Sequence, residues 1–270
     1  RPPRGPVLYR GPMDALAVLG WSALAVAVLM AALWAVSVRL RDSGIIDPFW
    51  GFGFVVVAWV AYLASDGDDG RRLLLAALTS VWGLRLFAHL ARRNFGKPED
   101  FRYAEMRARH GDRWPLRSLV TVFGLQGVLM LVVSLPVQFG GLPDSPGLGW
   151  IAAAGAALWA VGLAFETVGD LQLSRFRADP ANRGKVLDTG LWRYTRHPNY
   201  FGDFCVWWAF YLFALAAGAW WSFPGPLLMS VLLMRVSGVT LLEKDIGQRR
   251  PAYAEYVRRT NAFFPGPRRG

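Results

Sequence analysis

Polar residues are absent for long stretches of this chain and then arrive in groups. Seven apolar runs stand out, at about residues 16–38, 45–64, 73–91, 119–139, 148–168, 200–215 and 220–241. Each is close to the ~20 residues that a helix needs to cross a hydrocarbon core about 30 Å thick. None shows the strict alternation of a half-buried strand. The expected fold is therefore an all-α integral membrane protein, a bundle of seven transmembrane helices. The last two runs are separated only by the short turn AAGAW. Residues 1–12, RPPRGPVLYRGP, lack the apolar pattern and precede Met13. They are expected to be a disordered leader or an expression remnant, with 13–270 forming a single seven-span domain.

Charge orients the bundle. The chain carries a net charge of +11, and most of its 30 basic residues fall in the loops after the first, third and fifth runs and in the tail. The intervening loops, SDGDDGRR and GGLPDSPG, are short and slightly acidic. The positive-inside rule then places the N-terminus outside and the C-terminus in the cytoplasm, in a bacterial inner membrane. Basic residues distributed this way argue against nucleic acid as a partner. Membrane lipids are the evident surroundings, and no obligate protein partner is indicated. One cysteine, Cys205, precludes an intrachain disulfide or a CxxC site. Its apolar neighbours mark it as a small buried side chain. The chain has no Rossmann GxGxxG, Walker loop, HExxH or GxSxG, and no metal site is expected.

Polar groups inside apolar runs are costly and point to cavities or pathways. Here they are Asp47, Arg85, His89, Gln126, Glu166, Asp203 and Arg235. On the topology above, the ionisable ones lie in the cytoplasmic half. That one-sided placement suits an enzyme loading a soluble cofactor better than a transporter with midplane charges. Simpler readings stay open. Arg85 and Arg235 could snorkel to headgroups, His89 could fill the interface, Gln126 could bond a neighbouring helix, and Asp203 could pair with Arg196.

Residues 190–204, GLWRYTRHPNYFGDF, concentrate donors and acceptors just ahead of an apolar run. Arg193, Arg196 and His197 suit phosphates, arginine through bidentate contacts. Pro198 fits the first turn of a helix, whose start favours anions. Tyr194 and Tyr200 offer flat faces to a base or ribose. Two other segments look like partners: EDFRYAEMRARHG at 99–111, a loop or short amphipathic helix with Arg102, Tyr103 and Arg107, and a tail with Arg249, Tyr253 and Tyr256.

At GLWRYTRHPNYFGD the chain resembles the C-terminal region of the steroid 5-alpha-reductase family, a seven-span group using NADPH, and is most similar to an uncharacterised bacterial branch of it. The resemblance covers roughly residues 39–265. It implies a cofactor site containing Glu166, Asp170, Arg177, Lys185, Asn199, Tyr200 and Asp203, joined by Arg102, Arg107, Tyr194, Arg196, His197, Arg249 and Tyr253. The family's Gln-Glu pair in the second span and Tyr in the third have no counterpart here. Asp47 is the only acid of the second run, and Arg85 and His89 are its obvious partners, with Arg85 the possible electrophile. The implied activity is hydride transfer from NADPH to an enone in a sterol-like or isoprenoid substrate entering from the bilayer. The motif RHPxYxG also marks isoprenylcysteine carboxyl methyltransferases, which bind S-adenosylmethionine. A non-catalytic lipid-binding or transport protein is the remaining alternative.

Overall fold

The computed structural model describes residues 11–141, 149–236 and 251–269, and every regular element among them is helical. In order these are α1 (Gly11–Leu40), α2 (Ile46–Ala64), α3 (Asp69–Asn94), α4 (Phe101–His110), α5 (Trp114–Ser118), α6 (Leu125–Val133), α7 (Leu135–Phe139), α8 (Trp150–Ala178), α9 (Pro198–Ala216), α10 (Pro224–Val231) and α11 (Pro251–Arg259). Among the described residues five stretches are long and apolar enough to cross a bilayer: Ala15–Leu40, Ser43–Ala64, Asp69–Asn94, Phe101–Val133 and Trp150–Ala178. They match the first five expected runs and make the chain an integral membrane protein. The sixth expected run is helical as α9. The seventh begins as α10 and a π-helical segment, Leu232–Val236, and the rest of 220–241 lies outside the described residues.

The fourth run differs from its expectation at both ends. Helix extends back through α5 and α4 to Phe101, with a π-helical segment over Leu119–Gly124. It breaks at Ser134, short of the expected end at 139, because Pro136 has no N–H to continue the ladder. Buried Gln138 repairs the break, its Nε2 donating to the Leu131 carbonyl and to Ser134 Oγ, both at 2.8 Å.

The chain groups into two compact units, Arg1–Gly147 with Ala214–Ser222, and Leu148–Phe213 with Phe223–Gly270. In the first, α2 and α3 form an antiparallel hairpin. Asp68 caps α3 by accepting from Arg71 N at 2.7 Å, and Arg72 Nη1 donates to the Tyr62 carbonyl at the end of α2 at 2.8 Å. The two helices touch backbone to backbone at Gly51 and Gly83, where a Cβ on either would collide with the other's carbonyl oxygen. Small residues permit such approach where lipid supplies no hydrophobic drive between helices.

The second unit repeats the device. Gly155, Gly162 and Gly169 recur every seven residues along α8, a spacing that the sequence analysis passed over. A Cβ at Gly162 would meet the Gly202 carbonyl at 2.6 Å, and one at Gly202 would meet Glu166 N at 2.5 Å. One at Gly155 would meet the Ala209 carbonyl at 3.3 Å, and one at Gly169 would meet Asn199 N at 3.2 Å. The stripe runs α9 antiparallel along α8, and Gly202 of the FGD signature is one of its contact points.

Gly83→Ala and Gly202→Ala should each destabilise the detergent-solubilised protein by about 1–3 kcal/mol, the usual cost of overpacking. Gly20 of α1 has nothing within 4 Å of an added Cβ. Gly20→Ala should therefore be neutral or slightly stabilising, and thermal unfolding of the three variants separates the cases.

Candidate functional site

Each unit carries one polar centre. In the first, the approach to α2 is a 3₁₀ turn, Ser43–Ile45, capped by Asp42, which accepts from Gly44 N at 2.8 Å. Asp47 follows in the first turn of α2. The helix α4 begins at Asp100, whose carboxylate accepts from Arg102 N at 3.0 Å, an N-cap of the usual type. These two starts bring together a chain of hydrogen bonds. The Tyr103 hydroxyl donates to Asp47 Oδ1 at 2.9 Å, and Arg102 Nη2 donates to Asp47 Oδ2 at 3.3 Å. Gln126 Nε2 donates to the Tyr103 oxygen at 3.3 Å, and Trp50 Nε1 donates to Gln126 Oε1. Tyr103 is buried.

Beside this chain stands a second clamp. Glu99 Oε1 accepts from Ser43 N at 2.6 Å, and its carboxylate takes both Nε and Nη2 of Arg107, at 3.0 and 2.8 Å. Fully buried Trp114 donates to Ser43 Oγ at 3.2 Å, with the Arg107 guanidinium 5.8 Å from its ring centroid. The segment 99–107 is thus bound to the start of α2 at two stations, one around Ser43 and one around Asp47. Burial pushes the Asp100 carboxyl upward, but hydrogen bonds from the Arg102 side chain and backbone, with its charge, prevail and hold it below the ordinary value.

In the second unit the centre forms where α8 passes the start of α9. Buried Asp170 accepts from Asn199 Nδ2 at 3.1 Å. Glu166, also buried, lies one turn earlier against Gly202, and half-buried Asp203 follows Gly202 on α9. The preceding loop is pinned from both sides. Leu191 N donates to Gln172 Oε1 and Trp192 Nε1 to the Gly169 carbonyl, each at 3.1 Å. From the tail, the Tyr256 hydroxyl donates to the Trp192 carbonyl at 2.6 Å, and Arg268 Nη2 bonds Asp188 at 2.7 Å. Thr195 Oγ1 donates to the Phe263 carbonyl at 2.7 Å. Burial pushes the Tyr256 hydroxyl well above its ordinary range.

Several residues expected at the cofactor or substrate have protein partners in this geometry. Arg102 and Arg107, expected at cofactor phosphates, have their charge committed to Asp47, Asp100 and Glu99 within the first unit. Arg196 is buried and donates to the Thr260 and Val257 carbonyls at 2.6 and 3.2 Å, so it closes the C-terminal end of α11. Such a place suits a cation. His197 is buried too, stacked on Tyr200 with ring planes 4° apart. Arg177, Lys185 and Arg193 are exposed, and Tyr194 is half exposed at 47%. Tyr253 is half-buried on α11 with its ring against Tyr256, and Arg249 lies outside the described residues. Arg85 and His89 are half-buried, one turn apart on α3. Asp47, expected beside Arg85, accepts from Tyr103 and Arg102.

Tyr103 and Gln126 stand out in the sequence without an assigned site, and Trp50, Glu99 and Asp100 do not stand out there. The available signal was Gln126, the polar residue set deepest in its run.

The family described as "Protein of unknown function (DUF1295)" matches residues 33–260. An uncharacterized protein of Schizosaccharomyces pombe is 25% identical over 272 residues, spanning 88% of this chain and 77% of the relative. No solved structure matches.

The depressed value of Asp100 sets a pH dependence. Its stabilising contribution is fully present above its ordinary value of 3.8 and is lost as pH falls through the lowered folded value. Hydrogen exchange over residues 99–110 should therefore accelerate in acid below pH 3.8, and Asp100→Asn should remove that dependence while loosening the segment at neutral pH.

Proposed function

We propose that this chain, which belongs to the DUF1295 family, is a membrane-embedded reductase that takes NADPH from the cytoplasm and saturates the carbon–carbon double bond of an enone in a sterol-like or isoprenoid substrate. The family is one that includes steroid 5-alpha-reductase-like proteins. The observation that carries the reading is the cluster of Asp47, Tyr103 and Gln126. A carboxylate, a phenol and an amide, from the start of α2, from α4 and from α6, meet at the end of an apolar hairpin. The steroid-reducing enzymes are expected to use the same three chemical types on a substrate carbonyl, though not from these sequence positions.

In the second unit the side-chain chemistry suits a dinucleotide phosphate. Arg177 and Lys185 present cationic groups at the surface, Tyr194 offers an accessible ring, and the Asn199–Asp170 pair supplies amide and carboxylate for a ribose or carboxamide. Glu166 and Asp203 line the same stretch of the α8–α9 crossing. The cofactor supplies a hydride, two electrons with one hydrogen, to the β carbon of the enone. The displaced π electrons move onto the carbonyl oxygen as an enolate, which the protein's donors hold. A proton then adds at the α carbon. The sum is enone, NADPH and a proton giving a saturated ketone and NADP⁺.

A methyl-transfer reading shares the RHPNYFG motif, and one experiment separates the two. Thermal unfolding of the purified protein is followed with NADPH, NADH and S-adenosylmethionine in parallel. NADPH at a hundredfold its Kd should stabilise by about 2.7 kcal/mol, and Asn199→Ala should abolish the effect. Stabilisation by the methyl donor alone would transfer the chain to the methyltransferases. With a 3-oxo-4-ene steroid present, Tyr103→Phe, which removes the oxygen that links Gln126 to Asp47, should keep the NADPH stabilisation and slow NADPH oxidation.

A further inference from the structure

The hydrogen-bond chain of the first unit has a fixed direction, and that direction selects one group. Trp50 offers an indole N–H, which donates and has no lone pair to accept with. The amide of Gln126 must therefore turn its Oε1 toward Trp50, and Nε2 consequently lies on the side of Tyr103. The amide nitrogen carries two hydrogens. One goes to the Tyr103 oxygen at 3.3 Å. Since that oxygen accepts from Gln126, the phenol's own hydrogen is directed to Asp47 Oδ1 at 2.9 Å. Asp47 accepts from Arg102 as well, and Arg102 divides its guanidinium between Asp47 and Asp100 with its side chain 35% exposed. Among the neutral donors of the chain every hydrogen then has an assignment except the second one on Gln126 Nε2, which meets no acceptor among the described residues; the charged Arg102 ends the chain on its more exposed side.

We infer that Gln126 is the catalytic donor to the substrate carbonyl, through this second amide hydrogen, and that Trp50 is the positioning residue that holds it out. The inference rests on the reductase reading for the kind of substrate, a ketone conjugated to a double bond. It assigns to Tyr103 and Asp47 the task of bracing the amide rather than supplying the proton. A neutral donor suits a site within an apolar run. It needs no desolvated charge, and a hydrogen bond in low dielectric is electrostatically stronger than in water. Donors placed where charge develops contribute about 10²–10³-fold in rate. A single amide hydrogen asks for one carbonyl oxygen, on a molecule otherwise apolar enough to reach a donor set in an apolar run.

The test is spectroscopic and does not require turnover. The full-length detergent-purified protein is mixed with a 3-oxo-4-ene steroid labelled at its carbonyl carbon, and the C=O stretch is recorded against the same steroid in detergent alone. The wild type should move the stretch to lower frequency. Gln126→Glu keeps the size and accepts from Trp50 but offers Tyr103 and the ketone only acceptors, so the shift should vanish. Trp50→Phe frees the amide to rotate and should broaden and reduce the shift while leaving NADPH stabilisation intact. Thermal unfolding checks that each variant is folded, and Gln126→Met serves as a second variant lacking the donor. A stretch unmoved in the wild type, or moved equally in Gln126→Glu and Gln126→Met, overturns the inference. If the shift follows Gln126 while NADPH neither stabilises the protein nor is oxidised, the donor assignment stands and the reductase reading falls.

Discussion

Polar chemistry in this protein depends on backbones that touch without side chains between them. A carboxylate or amide inside a membrane helix is useful only at one depth and one rotation. Gly51 and Gly83 fix both for α2, since two backbones in contact can neither slide nor turn without collision. Asp47 and Trp50 are bound to that register, being one turn and one residue ahead of Gly51. The seven-residue glycine stripe of α8 does the same for Glu166 and Asp170 against Asn199 and Asp203. Where water supplies no hydrophobic force between helices, close packing is what makes their positions definite.

The clamp over α2 shows a second principle. The 99–107 segment is polar and short, and a ten-residue helix is marginal on its own. It is held by ion pairs and buried hydrogen bonds rather than by an apolar face. Glu99, Arg107, Ser43 and Trp114 satisfy one another, so the cost of burying their polar atoms is offset locally. Tyr103, one helical turn before Arg107, is carried to Asp47 by that anchorage. What reads as a basic loop is a bracket for the one acid of the second run.

Much of this was legible beforehand. Apolar runs alone gave the helices, because the hydrocarbon thickness dictates length and leaves the interior of each run little choice. The Ser134–Pro136 break lay inside a run whose mean polarity never changed, so only the proline betrayed it. Charged loops are harder. A count of Arg102 and Arg107 registers positive charge, whereas the folded segment sets Glu99 and Asp100 against them, and no spacing rule foretells such long-range pairing. Arg196 shows the same limit, since two of its acceptors are carbonyls more than sixty residues further along. Asp47 was found by its isolation, while its partners came from a segment read as a loop or a short amphipathic helix, and it is the helix that forms.

Those distant acceptors also order events in time. The loop from Asp188 to Arg196 is closed by Tyr256, Val257, Thr260, Phe263 and Arg268, with sequence separations of 61 to 80 residues. Between them the ribosome must produce, and the membrane must receive, the whole of α9 and α10. During that interval the earlier part of the chain holds the loop through Gln172, Gly169 and Asp170. The assembly is therefore completed only when the later segment folds back, and a nascent chain stalled within α10 would already have inserted yet hold an open loop.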